Sequence, residues 1–137
     1  MPNNRTFGDL GEDLAERHLK SSGFRILSRN YLAKGGEIDI IGYRRGVLAF
    51  FEVKTRSGET FGRPADAVDG AKLAKITKAA RDFCTAYVQY GKVPVTYFPG
   101  MTIKRTVRKR RIDVVEVFLS RDNRLDHINH IGDVCEL

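Results

Sequence analysis

The chain has 137 residues, 42% of them hydrophobic and 30% charged, and its formal net charge is +7. No apolar run approaches the roughly 20 residues of a membrane helix, and the amino-terminal sequence lacks the apolar core of a signal peptide. We therefore expect a cytoplasmic protein with one domain over residues 1–137 and no membrane association, and the positive charge favours nucleic acid as the partner.

The first predicted element is a helix over roughly residues 6–21, with Thr6 among the polar residues that can cap it. Apolar side chains recur at helical spacing and leave Glu12 at the edge of the buried stripe. Glu12 is therefore the acid best placed to point into the protein, with a solvated surface charge as the alternative. Gly23 is expected to end this helix, and a strand over residues 24–31 follows.

A β-hairpin is predicted over residues 37–56, because two short apolar runs flank a turn-like segment at residues 44–46. Side chains alternate between the two faces of a strand, so Glu52 and Lys54 share one face of the second strand. Charged groups in an otherwise apolar strand are costly unless they are paired or bound to something. The hairpin is therefore the first place to look for chemistry.

Asp39, in the first strand of the hairpin, adds a second carboxylate. A loop of two or four residues is expected to place Asp39 opposite Phe50 and diagonal to Glu52, about 7–8 Å away. Two carboxylates at that spacing can share one divalent cation, at roughly 2.0–2.6 Å from each oxygen. The alternative is a metal-free salt-bridged cluster with Lys54, although buried ion clusters are poor stabilisers.

Three stretches now carry a resemblance: GDLGEDLAERHL (8–19), GEIDIIG (36–42) and AFFEVKTR (49–56). Together they resemble the YraN family, small bacterial proteins placed in the Holliday-junction-resolvase-like branch of the PD-(D/E)xK nucleases. The resemblance implies an α/β fold on a restriction-endonuclease-like core. We accordingly expect a mixed central sheet of about five strands flanked by helices.

The resemblance also implies a function and a site. The implied catalytic residues are Glu12, Asp39, Glu52 and Lys54, and the three acids would hold Mg²⁺, with Mn²⁺ as the alternative ion. The implied reaction is phosphodiester hydrolysis in DNA, including branched DNA, and junction cleavage by this class uses homodimers. A non-catalytic nucleic-acid-binding or adaptor protein that retains the fold is the alternative function, and RNA stays open as the polymer.

A second helix is predicted over roughly residues 69–90, with Asp66 or Asp69 as its cap. Lys72 borders the buried face of this helix, and the fold implied by the resemblance makes it a candidate contact for a nucleic-acid phosphate or for the catalytic edge. Arg56 continues the face of the Glu-x-Lys motif and is a second candidate contact. A solvated surface charge is the alternative for each, and the segment 55–64 between them has the composition of a loop.

Strands are predicted over residues 93–97 and 112–119, and the densest positive charge of the chain lies between them. This basic run can neutralise several phosphates, and its candidate binding residues are Lys104, Arg105, Arg108, Lys109 and Arg110. A disordered, solvated loop is the alternative for the run. His127 and His130, near the carboxyl end, are expected to serve surface or packing roles rather than to bind metal.

Overall fold

A computed structural model describes residues 6–57 and 69–137. Asp66 and positions 58–64 of the expected loop lie outside the described residues. The described chain forms, in order, α1 Phe7–Ser21, β1 Arg25–Ala33, β2 Gly36–Arg44, β3 Val47–Ser57, α2 Gly70–Tyr87, β4 Lys92–Tyr97, β5 Met101–Thr106, β6 Lys109–Leu119 and β7 Leu125–Glu136.

Five of these strands form one mixed sheet in the order β1-β2-β3-β6-β7. The sheet is mixed because β3 and β6 run parallel, whereas the other neighbouring pairs are antiparallel. The remaining strands, β4 and β5, pair only with each other as a two-stranded antiparallel ribbon. The predicted α/β class and the mixed five-stranded sheet are therefore confirmed.

The two helices cover opposite faces of the sheet and bury separate apolar cores. Helix α1 contributes Ala15 and Leu19 to a cluster with Phe51, whereas α2 contributes Ile76 and Phe83 to the other cluster. Both faces of the sheet are thus protected from water, which explains why β3 is apolar on its two faces over most of its length.

Each helix approaches the sheet through a glycine. A Cβ at Gly11 of α1 would overlap the side chain of Thr55, and a Cβ at Gly36 of β2 would lie 2.6 Å from the carbonyl oxygen of Lys75 in α2. Real Cβ atoms do not tolerate such distances, so the absence of a side chain allows the close approach. Both contacts lie at the same end of the sheet, because Gly36 opens β2 and Thr55 falls near the end of β3.

Both helix caps lie at predicted positions, and only the carboxyl end of the second helix differs. Thr6 caps α1, with its hydroxyl accepting a hydrogen bond from the backbone N–H of Asp9 at 3.0 Å. Asp69 caps α2 in the same way by accepting from the N–H of Lys72 at 2.8 Å. Helix α2 ends at Tyr87, three residues before the predicted boundary.

The register of the hairpin differs from the predicted one. The turn has two residues, and β2 pairs with β3 from Arg44 opposite Val47 to Ile40 opposite Phe51. Phe50 consequently lies opposite Ile41, and the prediction that Asp39 faces Phe50 is wrong. A two-residue turn brings Asp39 two residues further along β3, to the level of Glu52, because antiparallel partners keep a constant sum of residue numbers.

The alternative of a disordered loop for the basic run is also wrong. Lys104 and Arg105 belong to β5, and Lys109 opens β6. The sequence signal was misleading because alternation between polar and apolar residues is weak in β5, a strand that is mostly exposed.

Candidate active site

The carboxylates of Asp39 and Glu52 meet where β2 and β3 separate. The paired ladder ends at Ile40 and Phe51, and beyond it Oδ2 of Asp39 accepts a hydrogen bond from the backbone N–H of Val53 at 2.8 Å. The Asp39 side chain thus replaces a strand-to-strand bond and turns toward β3. Glu52 is only 4% exposed, so the two acids share a poorly solvated space.

This proximity changes the acidity of Asp39. Burial and the adjacent negative charge of Glu52 raise the pKa of Asp39 to about 7, although the N–H of Val53 acts in the opposite direction. At pH 7 the Asp39 carboxyl is therefore about half protonated, because two neighbouring carboxylates resist joint ionisation. A divalent cation can replace that proton and neutralise both groups.

Two lysines complete this cluster. The ammonium of Lys72 donates to Oε1 of Glu52 at 2.5 Å, and Nζ of Lys54 lies 3.7 Å from the same oxygen. The adjacent Lys72 ammonium, together with burial, lowers the pKa of Lys54. Burial pulls the pKa of Lys72 down, but its contacts with Glu52 and Lys54 and the charge of Asp39 together raise it. We call Asp39, Glu52, Lys54 and Lys72 the carboxylate site.

Glu12 lies at the margin of the carboxylate site and has a partner of its own. Its Oε1 is 3.3 Å from Nη2 of Arg29, which also contacts Asp13 through Nη1 at 2.7 Å. The negative charge of Glu12 contributes to the raised pKa of Asp39, which places it within electrostatic reach. Across residues 6–57 and 69–137, no three His, Cys, Asp or Glu side chains gather closely enough to hold a metal ion.

A buried acid that the sequence did not single out fixes Arg56. Glu116 of β6 is fully buried, and its Oε2 lies 3.2 Å from Nε of Arg56. Its other oxygen accepts from the side chain of Asn129 at 3.0 Å. Glu116 pairs with Lys54 in the parallel ladder, so it faces the same side of the sheet. The sequence signal that could have identified Glu116 is its charge within the otherwise apolar segment 114–119 of β6.

The basic run lies apart from the carboxylate site. In the parallel ladder Lys109 and Arg110 stand beside Val47 and Leu48, whereas Val114 stands beside Glu52. Five residues of strand separate the two positions, which is about 16 Å. The N–H of Arg108 donates to the carbonyl of Gly46 at 2.7 Å, so this part of the run borders the β2–β3 turn, and Lys104 and Arg105 precede it in β5.

The two histidines have protein partners. Nε2 of His130 lies 2.7 Å from Oδ2 of the buried Asp113, and the ring of His127 stacks on Phe118 at 4.3 Å between centroids.

Neither α1 nor α2 is long and apolar enough to cross a membrane.

Taken together, the fold and the site define an α/β protein with paired carboxylates and two ammonium groups at one end of a mixed sheet. Residues 11–117 match the model of a family described as "Uncharacterised protein family UPF0102". The chain belongs to this family, which is the YraN family that the three sequence stretches indicated.

Several curated proteins of the same family resemble the chain closely. The UPF0102 protein TTE1452 of Caldanaerobacter subterraneus subsp. tengcongensis is 35% identical over 130 residues, which cover 94% of this chain and 93% of the relative. A UPF0102 protein of Chloroherpeton thalassium is 36% identical over 136 residues, covering 99% and 90%. One of Solibacter usitatus is 51% identical over 78 residues, covering 56% and 59%.

Proposed function

We propose that this protein is a metal-dependent endonuclease of the PD-(D/E)xK type, which hydrolyses phosphodiester bonds in DNA, with branched DNA as a substrate. The observation that carries the proposal is the contact between Asp39 and Glu52 with Lys54 on the same face of the sheet. A purely stabilising role explains this arrangement poorly, since the cost of desolvating buried charges offsets most of what their pairing gains. Two symmetric cuts in a junction need two sites, so we propose a homodimer on that substrate.

The residues of the carboxylate site fit Mg²⁺, with Mn²⁺ as a substitute. Mg²⁺ prefers hard oxygen ligands and commonly takes one or two protein carboxylates beside water and substrate phosphate. Asp39 and Glu52 supply such oxygens, and the raised pKa of Asp39 reflects its burial and the adjacent charge of Glu52, both of which a bound cation would offset. When bound, Mg²⁺ acidifies a water molecule and polarises a phosphoryl oxygen.

The other side chains supply orientation and charge. Lys54 lies beside Glu52, where it can orient the attacking water and stabilise negative charge on the phosphoryl group. Glu116 holds Arg56 through its Nε, leaving the two terminal nitrogens of Arg56 to bind a substrate phosphate. Glu12 contributes negative charge near Asp39.

A second candidate function is a non-catalytic nucleic-acid-binding or adaptor protein with the same fold. The specific observation in its favour is that Lys72 already neutralises Glu52 at 2.5 Å, while Arg29 engages Glu12. In that case the carboxylate site would be a stable ion cluster, and binding to nucleic acid would not depend on a metal or on Asp39 and Glu52.

A cleavage assay separates the two functions. The substrates are a four-way junction, duplex DNA, single-stranded DNA and RNA of matched sequence, each with Mg²⁺ and with EDTA. We expect Glu52→Gln to lower the cleavage rate by at least about 100-fold, since it removes a ligand that positions the charge-stabilising cation. Asp126→Asn, which removes an exposed carboxylate in β7, is the matched control and should leave the rate unchanged.

The outcome against catalysis is equally definite. If no substrate is cut in a Mg²⁺-dependent way, while the wild-type protein and Glu52→Gln bind DNA equally well, the adaptor function replaces the nuclease. Cleavage of RNA alone would retain the chemistry and correct the polymer. Sedimentation of the protein with and without the junction tests the proposed homodimer.

A further inference from the structure

A second polar cavity lies at the opposite end of the sheet from the carboxylate site. It has a volume of about 470 Å³ and lies between the carboxyl end of α1, the β2–β3 turn and β4. Its lining includes three arginines and, from β4, a tyrosine: Arg25, Arg44, Arg45 and Tyr97. We call these four residues the arginine pocket.

Neutral groups hold Arg44 in place. Its Nη1 donates to the carbonyl oxygen of Ser22 at 2.8 Å, and its guanidinium lies 4.3 Å from the ring centroid of Phe24. These contacts orient the side chain by hydrogen bonding and by cation–π attraction, but they do not cancel its charge. Arg44 is therefore a positioned, positively charged group on the wall of the cavity.

Tyr97 brings two further arginines together. The guanidinium of Arg25 lies 4.6 Å from the ring centroid of Tyr97, and that of Arg105 lies 5.1 Å from it. Nε of Arg105 also donates to the Tyr97 hydroxyl at 2.9 Å. The ribbon strand β5 thereby adds a fourth guanidinium beside the pocket, again through a neutral partner.

Within residues 6–57 and 69–137, no carboxylate neutralises this concentration of charge. Among the described residues, none of Arg25, Arg44, Arg45 and Arg105 forms a salt bridge, whereas Arg29, Arg56 and Arg111 all do. Like charges gathered in one place repel each other and raise the local positive potential, which attracts polyanions. The guanidinium fork matches the geometry of phosphate oxygens and can donate two hydrogen bonds to them.

We propose that the arginine pocket binds the phosphate backbone of nucleic acid as a second contact, separate from the carboxylate site. The proposal rests on the proposed function for its substrate class, nucleic acid, and adds the location of a second binding site. Five residues of β2 separate Asp39 from Arg44, a distance of about 17 Å. Successive phosphates of one B-DNA strand advance 3.4 Å along the axis, so a duplex must extend about five base pairs to reach both sites.

Equilibrium binding tests the proposal without any need for cleavage. A fluorescent 20-base-pair duplex is titrated in EDTA with the protein carrying Glu52→Gln, alone and combined with Arg25→Gln and Arg45→Gln. Both arginines are exposed, so the fold should persist, and thermal unfolding checks this. Arg17→Gln with Arg81→Gln is the matched control, since it removes two exposed helical arginines elsewhere.

We expect the pocket variant to bind at least about tenfold more weakly and to reduce the slope of log affinity against log salt by about 2. The control pair should change affinity less than about twofold. Equal losses in both variants would mean that the duplex senses only overall charge, and unchanged binding in the pocket variant would also overturn the proposal. Because the assay contains no metal and measures binding alone, it tests the arginine pocket whether or not the protein cleaves DNA.

Discussion

The two ends of the central sheet treat charge in opposite ways. At the carboxylate site, Glu52 is nearly buried and lies against Lys72 and Lys54. At the arginine pocket, Arg25 and Arg45 are exposed and lack an acidic partner among the described residues. The buried, balanced charges of the carboxylate site suit a small cation and catalysis. The exposed positive charges of the arginine pocket suit a long polyanion.

The comparison also shows what each end requires of the fold. The carboxylate site depends on close packing, because Gly11 and Gly36 let both helices approach the ends of β2 and β3. The arginine pocket depends on a turn and a ribbon that project from the sheet, and its arginines rest on carbonyl and aromatic groups. Substitutions should therefore act on chemistry and stability at the first end and on affinity at the second.

The largest expected effect is the pH dependence of metal binding at the carboxylate site. Burial and the charge of Glu52 raise the pKa of Asp39 to about 7, so below pH 7 a metal must displace a proton. We expect Mg²⁺ or Mn²⁺ affinity to fall about tenfold per pH unit from pH 7 to pH 5 and to level off above pH 7. Calorimetric titration in a pH series measures this.

The affinity for duplex DNA is measured over the same pH series, in a phosphate-free buffer that contains EDTA. Duplex binding at the arginine pocket needs no metal, so it should not follow the pH dependence of the metal affinity. A metal affinity that is flat from pH 5 to pH 7 would contradict the shared-proton description of Asp39 and Glu52.

The second prediction concerns the packing that builds the carboxylate site. Gly11→Ala should lower the free energy of unfolding by about 1–3 kcal/mol, because the added Cβ overlaps Thr55 and pushes α1 off β3. Gly70→Ala is the matched control, since no atom lies within 4 Å of a Cβ there. Urea unfolding measures both, and a Gly11→Ala protein as stable as the wild type would refute the close-packing explanation.

Sequence reasoning located the carboxylate site because two strong patterns coincide there. The apolar alternation of β3 is interrupted by Glu52 and Lys54, and the short turn fixes which residues of β2 approach them. The error in register came from centring the turn one residue too early in the chain. The observed turn is Arg45 and Gly46, and this shift of its centre keeps Asp39 on the same face but moves its partner from Phe50 to Glu52.

Other contacts had no local signature. The ion pair of Lys72 with Glu52 joins α2 to β3, and that of Glu116 with Arg56 joins β6 to β3. The arginine pocket gathers residues from β1, the hairpin turn and β4, which are distant in sequence. Periodicity predicts which face a side chain occupies, but it does not predict which elements meet at the end of a sheet.

The smallest expected effect comes from removing the competing ammonium. Lys72→Met should strengthen Mn²⁺ binding about 3- to 10-fold, because the Lys72 ammonium contacts the Glu52 oxygen that a cation needs and repels positive charge. Lys75→Met, which removes an exposed lysine from the same helix, serves as the control. Weaker binding in Lys72→Met would show that Lys72 supports the ligand arrangement rather than opposing the ion.

The most direct test of the central claim is a crystal of the protein soaked in Mn²⁺, examined by anomalous diffraction. We predict one peak between the carboxylates of Asp39 and Glu52, with the Lys72 ammonium withdrawn from Glu52. If the soaked crystal shows no anomalous density there and Lys72 still contacts Glu52, the carboxylate site is an ion cluster and the hydrolytic function is contradicted.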